Sequence, residues 1–240
     1  MKKILSVLLL IIVSNAYGQQ INMWMKQLER SNDSSKELKA ENVIIKYLKY
    51  DISTLLLPKG EFLGYIGADY KRIKIYYDSI SKDNKKPEIY NVKGVSSVGN
   101  NRCRFEGRIV IKEFREYKNM HFGCDDEYKN AGFKAQGFLI GEYQFKENPK
   151  QRYSGEFEGI VTVFWLVDKN NNIKIDDIEA SYSDNYCNNQ YVGTWKEYQK
   201  GISKTCNWGE LRIPFSGDLD IGAAYFSPNP KYYKLGWKDY

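Results

Sequence analysis

The chain has little of what most enzymes are built from. It has one histidine (His121), six prolines and four cysteines in 240 residues. A single imidazole allows a Ser-His-Asp or Cys-His arrangement only through His121. With no Cys-x-x-Cys pair there is no convincing zinc set either. No glycine-rich phosphate loop or dinucleotide fingerprint occurs. Long apolar runs are also missing. Ile4–Val13, interrupted only by Ser6, is about half the roughly 20 residues a membrane helix needs, and no second run of that length follows. No transmembrane segment is therefore expected in the mature chain.

That first run sits in an export signal. Lys2 and Lys3 supply the positive start, and Ser14-Asn15-Ala16-Tyr17-Gly18 is a polar exit with small residues at the −3 and −1 positions. Residues 1–18 read as a signal peptide cleaved between Gly18 and Gln19. No cysteine follows to take a lipid, since the first is Cys103. Removing these residues takes away two lysines and no acid, so the net charge falls from +6 to +4. A balance that mild, with acids among the bases, is a solvated surface and excludes a nucleic-acid stripe. The basic run Lys82-Asp83-Asn84-Lys85-Lys86 reads as a hairpin loop. A periplasmic or secreted protein meets an oxidising medium, so Cys103, Cys124, Cys187 and Cys206 are expected as disulfides. Cys103–Cys124 and Cys187–Cys206 are favoured, because each pair brackets one expected hairpin.

The mature body reads as a single domain with a helical prefix. Residues 19–60 carry helix formers over Met23–Arg30 and Lys36–Tyr50, with Asn32 or Ser34 as a cap for the second. From Phe62 the period becomes two: Ile73, Ile75 and Tyr77 alternate with charged residues, as do Phe105, Gly107, Ile109 and Ile111. Three segments share the form apolar-x-Gly-x-apolar-x-apolar, around Gly107, Gly141 and Gly159, with the glycine on the buried face. A missing side chain there marks a sharp bend or a close approach. On the strand from Phe157, Val161, Val163, Trp165 and Val167 share one face while Ile160, Phe164 and Leu166 share the other, so both faces are covered. Later strands are expected at about 173–182, 190–199, 202–208 and 219–226. The expected fold is all-β: an antiparallel meander of about 8–10 strands, over residues 61–240, forming a β-barrel or barrel-like sandwich with the 19–60 segment packed on it.

Candidate chemistry is sparse. Asp168-Lys-Asn170-Asn-Asn172 through Glu179 matches a calcium loop at several positions. It has Ile173 where the turn glycine belongs, and its flanks are strands, so a hairpin turn over Lys169–Asn172 is the simpler account. Acid groups at Asp125, Asp126 and Glu127, at Asp176 and Asp177, and at Asp218 and Asp220 are the candidates for a glycosidase-like pair. The stretch from Tyr182 to Trp195 mixes aromatic faces with amides and a carboxylate. Its candidate ligand-binding residues are Tyr182, Asp184, Tyr186, Asn188, Tyr191 and Trp195, with Trp208 brought near by Cys187–Cys206.

Gly64-Tyr65-Ile66-Gly67, Cys103-x-Phe105-x-Gly107, Val192-Gly193-Thr194-Trp195, Cys206-Asn207-Trp208-Gly209 and the run Arg212–Gly222 together resemble a family of exported β-rich proteins of Bacteroidetes-type bacteria. That resemblance implies export and a β-rich fold, and no activity. Gly193-x-Trp195 is also similar to the first-strand signature of lipocalins, but it lies near the C-terminus, so no lipocalin site is carried over. These readings converge on an exported, non-enzymatic binding or interaction protein. It has a glycan, peptide or protein partner, no cofactor and no nucleic-acid role. A carboxylate-based polysaccharide hydrolase and an exported immunity protein that inhibits a toxin remain as alternatives.

Overall fold

The computed structural model describes residues 19–28, 37–180, 183–184 and 186–240; the proposed signal peptide and the Asn32 and Ser34 caps lie outside them. A helix, α1 (19–28), is followed by a single turn, α2 (Ile44–Tyr47). Ten strands then run β1 (Leu63–Ile66), β2 (Lys71–Arg72), β3 (Lys74–Lys82), β4 (Ile89–Val98), β5 (Asn101–Glu116), β6 (Ala135–Glu147), β7 (Gly155–Val167), β8 (Ile173–Ile175), β9 (Asn188–Glu197) and β10 (Ser203–Glu210). The sheet is antiparallel throughout, ordered β2-β1-β10-β9-β7-β6-β5-β4-β3, with β8 paired to β7. β2 and β3, the two ends of that order, are one piece of chain interrupted only at Ile73. The Ile73 amide donates to the Gly64 carbonyl of β1 (3.0 Å), while β3 pairs with β4, so the sheet curls back onto its own start. This is the expected barrel-like antiparallel sheet.

The curl is tight because glycines allow it. Gly159 of β7 lies opposite Gly193 of β9. A Cβ on Gly159 would sit 2.7 Å from the Tyr143 hydroxyl oxygen, and one on Gly193 would collide with the same atom. The two glycines therefore form the shelf on which the Tyr143 ring of β6 rests. Register shifts at Ile111/Glu113, Tyr77/Ser79 and Trp208/Glu210 add further local coil. The interior is packed solid with aromatics: Tyr191 stacks on Trp208 at 4.7 Å, and Phe105 on Phe145 at 5.1 Å. The outer faces are covered where the strand pattern is apolar on both sides. On α1 the Trp24 indole donates to Thr162 Oγ1 of β7 (3.3 Å). Along β1, Leu63 and Tyr65 pack under Ile213, Leu219, Phe226 and Trp237 of the C-terminal strap.

Residues 37–59 plug one end of the curl. Lys39 and Val43 amides donate to the Glu116 and Phe114 carbonyls, and the Tyr47 ring stacks on Phe114 (4.9 Å) and meets Trp165 (4.5 Å). Ile52, Leu55 and Leu56 are buried behind it, and the Lys59 amide donates to Glu210 at the end of β10. The helix expected over Lys36–Tyr50 is thus reduced to one turn. Its first half spends its backbone groups on the end of β5, and Asn42 accepts from Ile44 and Phe114 amides while donating to the Lys112 carbonyl. Nor does a strand form at 219–226. Asp220 accepts from the Gly222 and Ser227 amides, closing a loop there, and only an isolated bridge, Asp220 to Pro228, remains.

The expected disulfides do not form; none of the four cysteines is joined in one. Cys103 is near the start of β5, about 43 Å of strand from its end at Glu116, and the eight residues from there to Cys124 return at most about 26 Å. A disulfide needs Cα atoms within about 7 Å. Thr205 lies opposite Thr194, so Cys206 is level with Gly193, six residues or about 20 Å along the strand direction from Cys187. Bracketing a hairpin in sequence is no guarantee of meeting across it. Cys103 and Cys206 are instead buried, and desolvation raises both thiols, Cys103 to about 11. We expect native protein to label at Cys124 alone of Cys103, Cys124 and Cys206, by mass spectrometry after a brief pulse of a thiol reagent. Labelling of the other two should require denaturant. A Cys103–Cys124 or Cys187–Cys206 disulfide peptide in purified mature protein would contradict the structure.

Glu116 anchors the plug. Its carboxylate accepts from Lys46 Nζ (2.5 Å), the Tyr47 hydroxyl (2.6 Å) and Lys39 Nζ (2.9 Å). Burial alone would raise its pKa, but those donors outweigh it and hold the group at about 2. A folded value below the unfolded one means the contribution is complete above pH of about 4.3 and is lost as pH falls toward 2, up to about 3 kcal/mol. Glu116→Gln should therefore lower stability at pH 7 by roughly that amount and flatten the loss between pH 4.5 and 2 in urea titrations. A mutant that keeps the wild-type acid limb would show that Glu116 does not govern it.

Candidate functional site

The end opposite the plug is open. The turns β1–β2, β4–β5, β6–β7 and β9–β10 all lie there and frame a cavity of about 470 Å³. Its position follows from strand parity. On β6 the inward positions Leu139, Gly141, Tyr143 and Phe145 continue to Glu147. On β9 Tyr191, Gly193 and Trp195 continue to Glu197, and on β4 Tyr90, Val92 and Gly94 continue to Ser96. At the mouth, the face that is apolar deeper down becomes polar. Ile66, Ile73, Val98, Phe157 and Trp195 supply the apolar wall.

The two glutamates in this mouth are in different states. Glu147 is fully engaged. The Ser96 hydroxyl donates to its Oε1, and the Gly155 amide (2.7 Å) and Trp195 Nε1 (3.0 Å) donate to its Oε2. Burial raises its pKa, opposed by those three donors. A carboxyl group with both oxygens occupied ties β4, β7 and β9 together and is poorly placed to protonate a leaving group. Glu197 is also buried, at 6% exposure, yet its Oε1 has no hydrogen-bond partner among the described residues. A buried acceptor left empty costs about 1–3 kcal/mol. Its backbone is rigid: the amide donates to the Ile202 carbonyl, and its carbonyl accepts from Gly201, which turns at φ +66°.

A second cleft, about 530 Å³, lies outside the sheet beside α1. His121 sits in it with Nε2 2.9 Å from Asp176 Oδ2 and Nδ1 3.7 Å from Glu179 Oε1. The Gln136 side chain accepts from the His121 amide and donates to its carbonyl, and the Tyr186 hydroxyl donates to the Asp176 carbonyl. Cys187 and Ser183 line the same cleft. The only imidazole thus pins the 173–187 excursion to the sheet, and its second nitrogen already faces a carboxylate.

The seven residues read as a ligand site are not brought together. Tyr182 lies outside the described residues. Tyr191 and Trp208 are in the solid core, and Trp195 is at the mouth. Asn188 is buried and hydrogen-bonds the Phe164 backbone, Tyr186 holds Asp176, and the Asp184 carbonyl accepts from Arg212. Of the calcium-loop residues, Asp168 closes its own turn. It accepts from the Asn170 and Asn172 amides and from Lys174, whose cation holds it well below the usual carboxylate range. Glu179 turns away to His121. No group of three or more His, Cys, Asp or Glu among the described residues could hold a metal. No helix among them is long and apolar enough to cross a membrane. No family model, curated protein or solved structure matches the chain.

Glu147→Ala should lower stability by about 3 kcal/mol, because the Ser96, Gly155 and Trp195 donors are left buried without an acceptor. Glu147→Gln should cost much less at neutral pH. A raised folded pKa makes the native carboxyl most favourable below pH of about 4.3 and less so as pH rises through that raised value, a penalty that a neutral amide avoids. Urea unfolding of both variants at pH 7 checks this, and equal losses would mean the donors are not what the carboxyl group serves.

Proposed function

We propose that this chain is an exported binding protein that holds a small ligand in the open mouth of the barrel. The observation that carries this reading is Glu197, a buried carboxylate with an unpartnered oxygen, in a cavity that combines an apolar wall with a few polar and charged side chains. Ligand pockets combine those features: an apolar lining and a few fixed polar groups, here at the mouth of a barrel. The packed interior leaves no room deeper down, so the ligand sits between the turns rather than inside the sheet. The paired-carboxylate hydrolase is disfavoured because Glu147, the other acid in the mouth, has both oxygens occupied by protein donors. Export is supported by the charged start, the short apolar run and the small-residue exit before Gln19.

The test is a thermal-shift screen of the mature protein against amino acids, short peptides, sugars and acyl chains, repeated on Val98→Trp, which fills the cavity. A ligand at about 100 times its Kd should raise Tm by about 5–10 °C in the wild type and leave the variant unmoved. No shift with any class, or an equal shift in Val98→Trp, would overturn the mouth as the site.

A further inference from the structure

Resting on that reading of the mouth, we infer that its ligand is a zwitterion: an apolar α-amino acid or a short apolar peptide of dipeptide size. The ammonium group meets Glu197, and the carboxylate meets the lysines at the rim.

Three features of the same cavity carry this. The first is Glu197, which lines the cavity, is nine-tenths buried, and has an Oε1 that is shielded from solvent and has no partner among the described residues. It is acceptor-only when ionised, so it is satisfied only by a donor, and an ammonium group supplies charge as well as hydrogen. The second is the rim. Lys71, Lys200 and Lys204 line it against one acid, Asp69. All four are exposed, and Lys204 Nζ lies 5.9 Å from the Trp195 ring. The mouth thus sets a buried acid on the last residue of β9 beside three exposed cations, Lys200 in the following turn, Lys204 on β10 and Lys71 on β2. The third is the wall, Ile66, Ile73, Val98, Phe157 and Trp195, whose aliphatic members offer hydroxyl groups no partner but fit an aliphatic or aromatic side chain.

Competing ligand classes each leave at least one feature unused or opposed. A fatty acid would place its carboxylate among the lysines and its chain on the wall, but would bring no donor to Glu197. A neutral sugar would satisfy Glu197 and ignore both the lysines and the apolar wall. An alkylamine would meet Glu197 and the wall but be repelled by the rim. Glu197, Lys200 and Lys204 all belong to the β9–β10 hairpin, so a single rigid unit carries both charge receptors.

Calorimetric titration of the mature protein with leucine and leucyl-leucine, their N-acetyl derivatives, their C-terminal amides, hexanoate and a disaccharide tests the inference. The zwitterions should bind best. Blocking the amine should weaken binding by about 100-fold, because it leaves a buried carboxylate unpaired, and amidating the exposed end by only about 10-fold. Glu197→Gln should abolish the preference for a free amine and leave the unliganded fold as stable or more so, since it removes an unpaired buried charge. A destabilised Glu197→Gln would show a structural carboxylate and overturn the inference. So would N-acetyl compounds that bind as tightly as free ones. Binding of the disaccharide or hexanoate alone would overturn the zwitterion while leaving the mouth as a ligand site, and binding of none would overturn both.

Discussion

The constraint on which this molecule depends is the curl of its sheet. Strands of 10 to 16 residues such as β4 to β7 can bury one face only by wrapping around it. Wrapping brings backbone and rings into the same space. Where Tyr143 reaches across, β7 and β9 give up side chains at Gly159 and Gly193, and the phenol occupies the gap. Once that shelf exists, the other interior rings pack against it: Tyr191, Trp208 and Phe145 each lie within about 5.5 Å of the Tyr143 ring. A core so filled has no central cavity, and chemistry is displaced to the ends.

The two ends handle buried carboxylates in opposite ways. At the plugged end Glu116 gathers two ammonium groups and a phenol from the 37–59 segment, and the charge is stabilised. At the open end Glu147 has only neutral donors, and burial wins over them in raising its pKa. Both join strand ends that would otherwise fray. Glu197 does neither, and the contrast within a single mouth makes it informative. A structural carboxylate in this fold is recognisable by its full set of donors, and Glu197 lacks one.

Much of the barrel was legible in the sequence, because period-two alternation and inward glycines are local signals. The site was not, although part of it was within reach. Glu147 and Glu197 continue the inward parity of their strands one step past the last apolar position, and two such polar endings on one rim mark a mouth. That inference needs the strand order, which alternation does not supply. Glu116 was harder, since the bulge at Ile111/Glu113 flips the parity and moves it from the apparent outer face to the inner one. The disulfides failed for a related reason: at 16 residues, β5 separates its ends further than any hairpin reading allows. The Tyr182–Trp195 stretch has a composition that suits a loop, while its residues from Asn188 onward run as β9, whose alternate residues face different surroundings.

If the mouth holds a ligand as proposed, binding and folding make opposing demands on it. If Glu197 had a protein donor, as Glu147 has, the hairpin would be more stable and the cavity would have lost its one fixed acceptor. The β9–β10 turn carries that deficit on a backbone held by the Glu197–Ile202 and Gly201–Glu197 hydrogen bonds. On the proposed reading, burial there is what turns an unfavourable group into a selective one. A flexible carboxylate would find water or one of the rim lysines, whereas a fixed one waits for a donor of the right reach.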